Sequence, residues 1–412
     1  MNPQGPFQAK DTQAPPIFPR YRWVILAVSA LAHAAIVMAA MALAPLAPFL
    51  LGDLAASRSE LGLMVSVLLV GGAVGSTPGG WLADRSVRWT LLGGQVLLGT
   101  MMLLFTRSTS FQASLIPLFL GGLGFGALIT TVTRAVACWF PARERATALG
   151  IATAAAPLGN AVASASMPFM AEAWGWRMAL LPAAILVIAT GAASSFLYRT
   201  SPEDMVLGRR EQQSKAGPWH ILKKRDIWLI GLAAILISGA EHSFRTYFLL
   251  HLRDVALLPV VLGGWYLALS FFGGLFGRIG WGVVSDHWFG GRREKVFAAI
   301  PGVAALALLM LGLGWGSPWI LPLLAIVFGF SGLGWVGIWA AMLSERASSG
   351  SAGGEIGLGM TFAYVGVVLG PTLFGRGLDL TGSYQTMWLM AAAVAAVGGL
   401  APLFLKGTGS RV

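Results

Sequence analysis

The chain alternates between long apolar runs and short polar breaks. Runs of the length a helix needs to cross a bilayer, about 20 residues, cover roughly 23–50, 60–83, 88–106, 111–140, 146–172 and 178–198. Six more follow at roughly 227–252, 257–284, 295–314, 318–343, 354–376 and 385–405. The pattern predicts an all-α membrane protein with twelve transmembrane helices in two six-helix bundles, 23–198 and 227–405. The longest interior polar stretch, "RTSPEDMVLGRREQQSKAGPWHILKKRD", predicts a central loop over 199–226. A polar, Pro-rich lead-in (1–22) and a short tail (406–412) flank the bundles. The lead-in lacks the apolar core of a signal peptide and is expected to be a flexible cytoplasmic segment.

Composition sharpens this picture. Charged residues make up 11% of the chain and hydrophobic ones 56%, whereas soluble domains carry about 25% charge. A soluble enzyme is excluded. The 54 glycines suit close helix contact in lipid, and Trp23, Trp89, Trp139, Trp176, Trp228, Trp315 and Trp319, near the ends of runs, predict an interfacial belt. The net charge of +11 is no sign of a nucleic-acid partner, because the basic residues fall in the short breaks. With the N-terminus inside, inner segments hold 20 of the 28 Lys and Arg and outer segments five. That asymmetry places both termini in the cytoplasm. Cys138 is the single cysteine, so no disulfide or Cys-based metal site is expected. No metal-ligand cluster, nucleophile–base pair or P-loop stands out, so neither an enzyme nor a cofactor is expected.

The two groups of runs repeat each other. Gly80 and Asp84 after the second run return 202 residues later as Gly282 and Asp286, and Glu144-Arg145-Ala146 returns 201 residues later as Glu345-Arg346-Ala347. A near-constant offset marks a duplicated unit. Related bundles of this kind can rock about a central site.

"GGWLADRSVRW" (79–89), with its degenerate copy "GWGVVSDHWFGGRR" (280–293), resembles the loop signature of the major facilitator superfamily. The resemblance covers the whole chain and implies two pseudo-symmetric bundles (the major facilitator fold), with helices 1, 4, 7 and 10 around the cavity. Asp84, Arg85, Asp286 and Arg293 then read as gate-locking residues, acting on helix ends or lipid phosphates. "RAVACWFPARERATALGI" (134–151), "RTSPEDMVL" (199–207) and "LGPTLFGRGLDLTGSY" (369–384) are similar to the monocarboxylate transporter and oxalate:formate antiporter branch in its bacterial form. That branch implies the bacterial inner membrane, and a helix 8 arginine that binds the substrate carboxylate. Arg278, four residues before Gly282 and eight before Asp286, has that spacing.

The residues themselves support the same site. Eight residues of helix place Arg278 about 12 Å inward from Asp286, where an always-charged fork must find a carboxylate, carbonyls or a wet cavity. The bland alternative is an ion pair with an acid on a neighbouring helix. Glu241, 15 residues into its run from Asp226, lies near the midplane beside His242, with Arg245 one turn on. It is a proton-coupling candidate, or the neutralising partner of Arg245 or Arg278. His33 is mid-run in the first helix, suited to donating to a carboxylate, carrying a proton, or bonding a neighbouring helix; His242 is a weaker proton candidate. Trp335 and Trp339 share one helix face and either wall the cavity or simply pack. Arg134 reads either as part of an inner gate or anion path, or as the structural partner of Glu144 or another loop acid.

The implied function is secondary transport of a small organic anion, most simply a monocarboxylate such as lactate or pyruvate, by alternating access with protons or by exchange. The implied partners are the small carboxylate, a proton and membrane lipid. Two departures from the branch qualify it: the eleventh run, "GLGMTFAYVGVVLGPTLFG", lacks the lysine of the dicarboxylate antiporter, and Gly274 stands where animal monocarboxylate carriers have an aspartate. One firm cation favours one carboxylate, although Arg134 and Arg245 keep a second in reserve. The alternatives are a dicarboxylate or organic-anion exchanger and a drug–proton antiporter of the same fold; "GIATAAAPLGNAVAS" (150–164) lacks the Gly-Pro-Gly-Gly pattern of the latter.

Overall fold

A computed structural model describes residues 20–199, 225–289, 293–346 and 352–405. Most of the lead-in, the central loop over 200–224 with most of the "RTSPEDMVL" stretch, and the tail lie outside the described residues. So do 290–292 and 347–351.

The described chain is helical throughout. Helix α1 (Arg22–Ala40) continues into α2 (Leu43–Asp53), followed by α3 (Arg58–Arg85), α4 (Val87–Phe105), α5 (Phe111–Ala137) and the long α6 (Ala142–Leu197). The second group comprises α7 (Arg225–Asp254), α8 (Val260–His287), α9 (Arg293–Gly312), α10 (Ile320–Gly332), α11 (Val336–Arg346), α12 (Ala352–Thr381) and α13 (Tyr384–Leu400) with a short 3-10 turn, Ala401–Phe404. Eleven of these stretches are long and apolar enough to cross a membrane. One, Thr147–Leu197, has 51 residues, about 77 Å at helical rise against a hydrocarbon core of about 30 Å. Its backbone turns at Gly175 (φ 81°, ψ 156°), a conformation that essentially only glycine adopts. The two arms of α6 are two crossings, and twelve result, as the runs predict.

Two crossings are interrupted where the sequence reading had them continuous. Between α1 and α2, Pro45 has no N–H to offer the carbonyl of Met41, and the helix breaks at 41–42. Between α10 and α11 the chain leaves helical geometry at 333–335, within the Gly-rich "GFSGLGW". Helix starts are fixed by side chains: Ser57 and Glu60 form a reciprocal capping box at α3, and Ser86, Ser110 and Ser383 cap α4, α5 and α13.

Each crossing reverses the chain, so Arg22, Arg85, Arg225 and His287 share one end, called near here, and Asp53, Arg58, Asp254 and Tyr384 share the far end. Close backbone approach positions α8: a Cβ at Gly277 would lie 1.9 Å from the carbonyl oxygen of Phe330 on α10. One apolar cluster is built from the first group of helices with Val367 of α12 added, and another lies within the second, whereas a third draws Ala47, Leu61 and Ala161 together with Phe244, Leu267 and Phe374. That mixed cluster packs the halves against each other toward the far end. Two of the tryptophans expected at the membrane interface are instead buried. Trp139 donates to the carbonyl of Arg199 at 3.1 Å and Trp176 to Asp53 Oδ2 at 3.0 Å; an indole N–H near a helix end finds a protein acceptor as readily as water. The others, Trp23, Trp89, Trp228, Trp315 and Trp319, are exposed.

Candidate functional site

Between the halves lies a cavity of about 270 Å³. It is walled by His33 of α1, Asn160 of α6, Glu241, His242 and Arg245 of α7, Arg278 of α8, Trp335 in the α10–α11 break, Trp339 of α11 and Tyr364 of α12. All four residues expected to touch substrate, Arg278, His33, Trp335 and Trp339, line it, as do the proton-coupling candidates Glu241 and His242.

Arg278 is exposed to this space, and among the described residues it makes no hydrogen bond or ion pair. The ion pair weighed for it in the sequence is not formed, although the charge of Glu241 reaches it. Arg245 is the paired one. Its Nη1 donates to Glu241 Oε1 at 3.2 Å and to His242 Nε2 at 3.4 Å, and its guanidinium lies 5.0 Å from the Phe271 ring centroid. The i,i+4 neutralisation expected on this face is present. The second carboxylate oxygen of Glu241 accepts from Trp335 Nε1 at 2.9 Å, a contact across 94 residues that no sequence pattern announces. Trp335 and Trp339 meet edge to face at 5.5 Å.

The histidines are tied to backbone. His242 Nδ1 lies 3.1 Å from the carbonyl of Ser238, so with Nε2 accepting from Arg245 both ring nitrogens are committed. His33 Nδ1 lies 3.1 Å from the carbonyl of Ala152 on α6. A carbonyl only accepts, which assigns the proton to Nδ1 and leaves Nε2 an acceptor in the neutral ring. His33 therefore offers a donor to an anion only once it gains a second proton. Of the roles weighed for it, the bond to a neighbouring helix is formed.

Arg245 and His242 also line a second, enclosed chamber of about 30 Å³ with Leu43, Asn160, Ser164 and Thr246. That space holds little more than a water. The two residues thus stand in the partition between the main cavity and this chamber.

Beyond the chamber the far end is closed by hydrogen bonds between the halves, a network the sequence reading missed. Arg58 is its hub: its guanidinium reaches Asp254 (3.3 Å), and its carbonyl accepts from Tyr247 (2.7 Å). Asp379 of α12 accepts from the amides of Arg58 (3.2 Å) and Ser59 (2.8 Å), capping α3 from the other half. Arg253 Nη1 donates to the carbonyl of Pro48 at 3.1 Å. Arg58 and Arg253 are two of the five basic residues of the outer segments, where they entered the sequence only as a count; their acidic neighbours at the same end were the available clue.

The expected gating residues sit at the near end and bond within their own halves. Asp84 pairs with Arg134, and Asp286 with Arg293 at 2.9 Å. Glu144 pairs with Arg22 at 3.1 Å, so Arg134 takes the loop acid of α3. Arg85 lies with Trp89 in a groove between α3, α4 and α5.

Two broken helices, a cavity between bundles and one closed end are the anatomy of an alternating-access carrier. The major facilitator superfamily model matches residues 29–371. The chain belongs to this superfamily. It is 27% identical over 391 residues to a probable sulfoacetate transporter of Cupriavidus necator, covering 87% of this chain and 88% of that protein. It is 24% identical over 390 residues to the hexuronate transporter of Bacillus subtilis, covering 87% and 89%. The fold is similar to that of a bacterial homologue of the human lysosomal transporter Spinster, with a TM-score of 0.78, 14% identity and coverage of 93% and 97%.

Proposed function

We propose that this superfamily member is a secondary transporter of small organic anions, and that Arg278 holds the substrate carboxylate. One observation carries the reading: the guanidinium of Arg278, without a bonded partner among the described residues, faces a cavity between two helix bundles. Arg278 and Arg245 against Glu241 give the cavity walls one net positive charge, which one carboxylate neutralises. A monocarboxylate such as lactate or pyruvate fits that count, and the monocarboxylate-branch motifs agree with it. The sulfoacetate and hexuronate in the names of two relatives are also small organic anions.

In this reading the bundles 23–198 and 227–405 rock about the cavity, and the far-end network opens as the near-end halves close. The excess of basic residues at the near end faces the cytoplasm of a bacterial inner membrane, which makes the described form closed to the outside. The near-end pairs of Asp84 and Asp286 brace each half for that motion.

The test is uptake of labelled lactate and pyruvate into proteoliposomes holding the purified protein. Saturable uptake that unlabelled small carboxylates inhibit supports the proposal. Uptake no faster than in protein-free vesicles, across a panel of organic anions, overturns it.

A further inference from the structure

We infer that Glu241 is a resident counter-anion, occupying in the empty carrier the place of a substrate's second acid group. On this inference the cavity also takes two-headed organic anions, each accompanied by one proton. The inference rests on the proposed transport of organic anions and specifies how far that substrate class extends.

The geometry around Glu241 is that of a bound ligand. One oxygen accepts from Arg245 Nη1 and the other from Trp335 Nε1. A guanidinium and an indole N–H converging on one carboxylate make a donor set that a carboxylate or sulfonate of a substrate would use equally. The same cavity holds a second guanidinium, Arg278, with no acid bonded to it among the described residues. One acid group is thus already in place, on the protein, and one place is open.

Arg245 also lies further along the translocation path than a plain structural pair requires. It borders both the main cavity and the small closed chamber toward the far end. An acid head handed to Arg245 sits at the partition that must part when the far end opens.

Charge decides how the exchange proceeds. With Glu241 ionised, a single-headed anion on Arg278 brings the walls and ligand to neutrality. A dianion in the same site leaves one uncompensated negative charge, which is costly in a mainly apolar cavity. Neutrality returns when Glu241 takes a proton from the aqueous side, which also frees Arg245. The charged and titratable groups facing it are His33 from α1, His242 and Arg245 from its own helix, Arg278 from α8 and Tyr364 from α12. Glu241 is the one carboxylate among them. Both nitrogens of His242 and Nδ1 of His33 are already engaged.

The experiment is calorimetric titration of the purified protein and its Glu241→Gln variant with sulfoacetate, two-headed, and lactate, single-headed, at about pH 6 and pH 8, where both are ionised. Glutamine mimics the protonated side chain and keeps an acceptor for Trp335. In the unsubstituted protein, sulfoacetate affinity should rise on acidification by up to about tenfold per pH unit, the limit for one linked proton, while lactate affinity rises far less. In Glu241→Gln, sulfoacetate should bind at pH 8 at least about tenfold tighter, a gain of about 1.4 kcal/mol, and its pH dependence should vanish. Arg245→Gln should weaken sulfoacetate far more than lactate. An unchanged sulfoacetate-to-lactate ratio and pH profile in Glu241→Gln overturns the inference while leaving anion transport standing. Should Glu241→Gln fail to fold, equal pH profiles for the two anions in the unsubstituted protein overturn it alone. If neither anion, nor any other small organic acid, binds the unsubstituted protein, the transport reading itself falls.

Discussion

Replacing Arg278 by lysine separates charge from geometry at the proposed anchor. Arg278 makes no hydrogen bond or ion pair among the described residues and faces the cavity, so the substitution removes nothing that holds the fold. Lysine keeps the positive charge but loses the planar fork, and with it one of two parallel hydrogen bonds to a carboxylate. A hydrogen bond to a charged group is worth about 1.5–3 kcal/mol, which predicts a Kd about 10- to 150-fold weaker. Methionine at the same position loses the charge as well. A pair 4 Å apart at an effective dielectric of 20 is worth about 4 kcal/mol, so methionine should weaken binding well beyond the lysine variant. The assay is lactate titration of each purified protein, paired with proteoliposome uptake and a melting curve to show the fold is intact. An Arg278→Lys protein that binds and transports with unchanged affinity would falsify the bidentate anchor. Equal losses for lysine and methionine would show that geometry alone matters and refute the charge argument.

Three further outcomes follow from described contacts. Asp379→Asn turns an acceptor for the α3 amides into a donor on one side, and a loss of about 1–2 kcal/mol of closure should raise the far-end-open population about 5- to 30-fold. Maleimide labelling of a cysteine placed at Leu43, in the closed chamber, should accelerate accordingly, and an unaltered rate argues against the latch. Trp335→Phe removes the indole donor to a buried carboxylate; a thermal scan in detergent should show about 1–3 kcal/mol of lost stability, and an identical melt would mean the bond contributes nothing. Gly277→Ala drives a methyl into the carbonyl of Phe330, so α8 and α10 must separate at a cost of about 1–3 kcal/mol. Lactate affinity should fall as Arg278 is displaced, and unchanged affinity and melting temperature would refute that packing argument.

The spans were legible because a bilayer imposes a length on apolar runs, and Gly175 falls in the gap the runs left between 172 and 178. The break at 333–335 was not, since glycines in a membrane helix serve packing as often as interruption. Arg278 was legible because a lone charge in an apolar run demands a partner or a cavity. The pair Glu241–Arg245 followed from helical spacing alone. Contacts between distant helices, such as Trp335 to Glu241 or Arg58 to Asp254, were not legible. A helix that is apolar all round gives no sign of which face meets which neighbour. For the same reason Trp139 and Trp176, placed like interfacial residues in sequence, turned inward.

The far-end closure has a built-in tolerance to genetic change at its hub. Arg58 is held by its side chain to Asp254, but its amide and carbonyl are held by Asp379 and Tyr247. Those main-chain groups are present whatever amino acid occupies position 58, short of proline, which lacks the amide hydrogen. Drift at that codon therefore loosens one strand of the closure and spares the rest. The weight of heredity falls on Asp379 and Tyr247, whose side chains have no such backup.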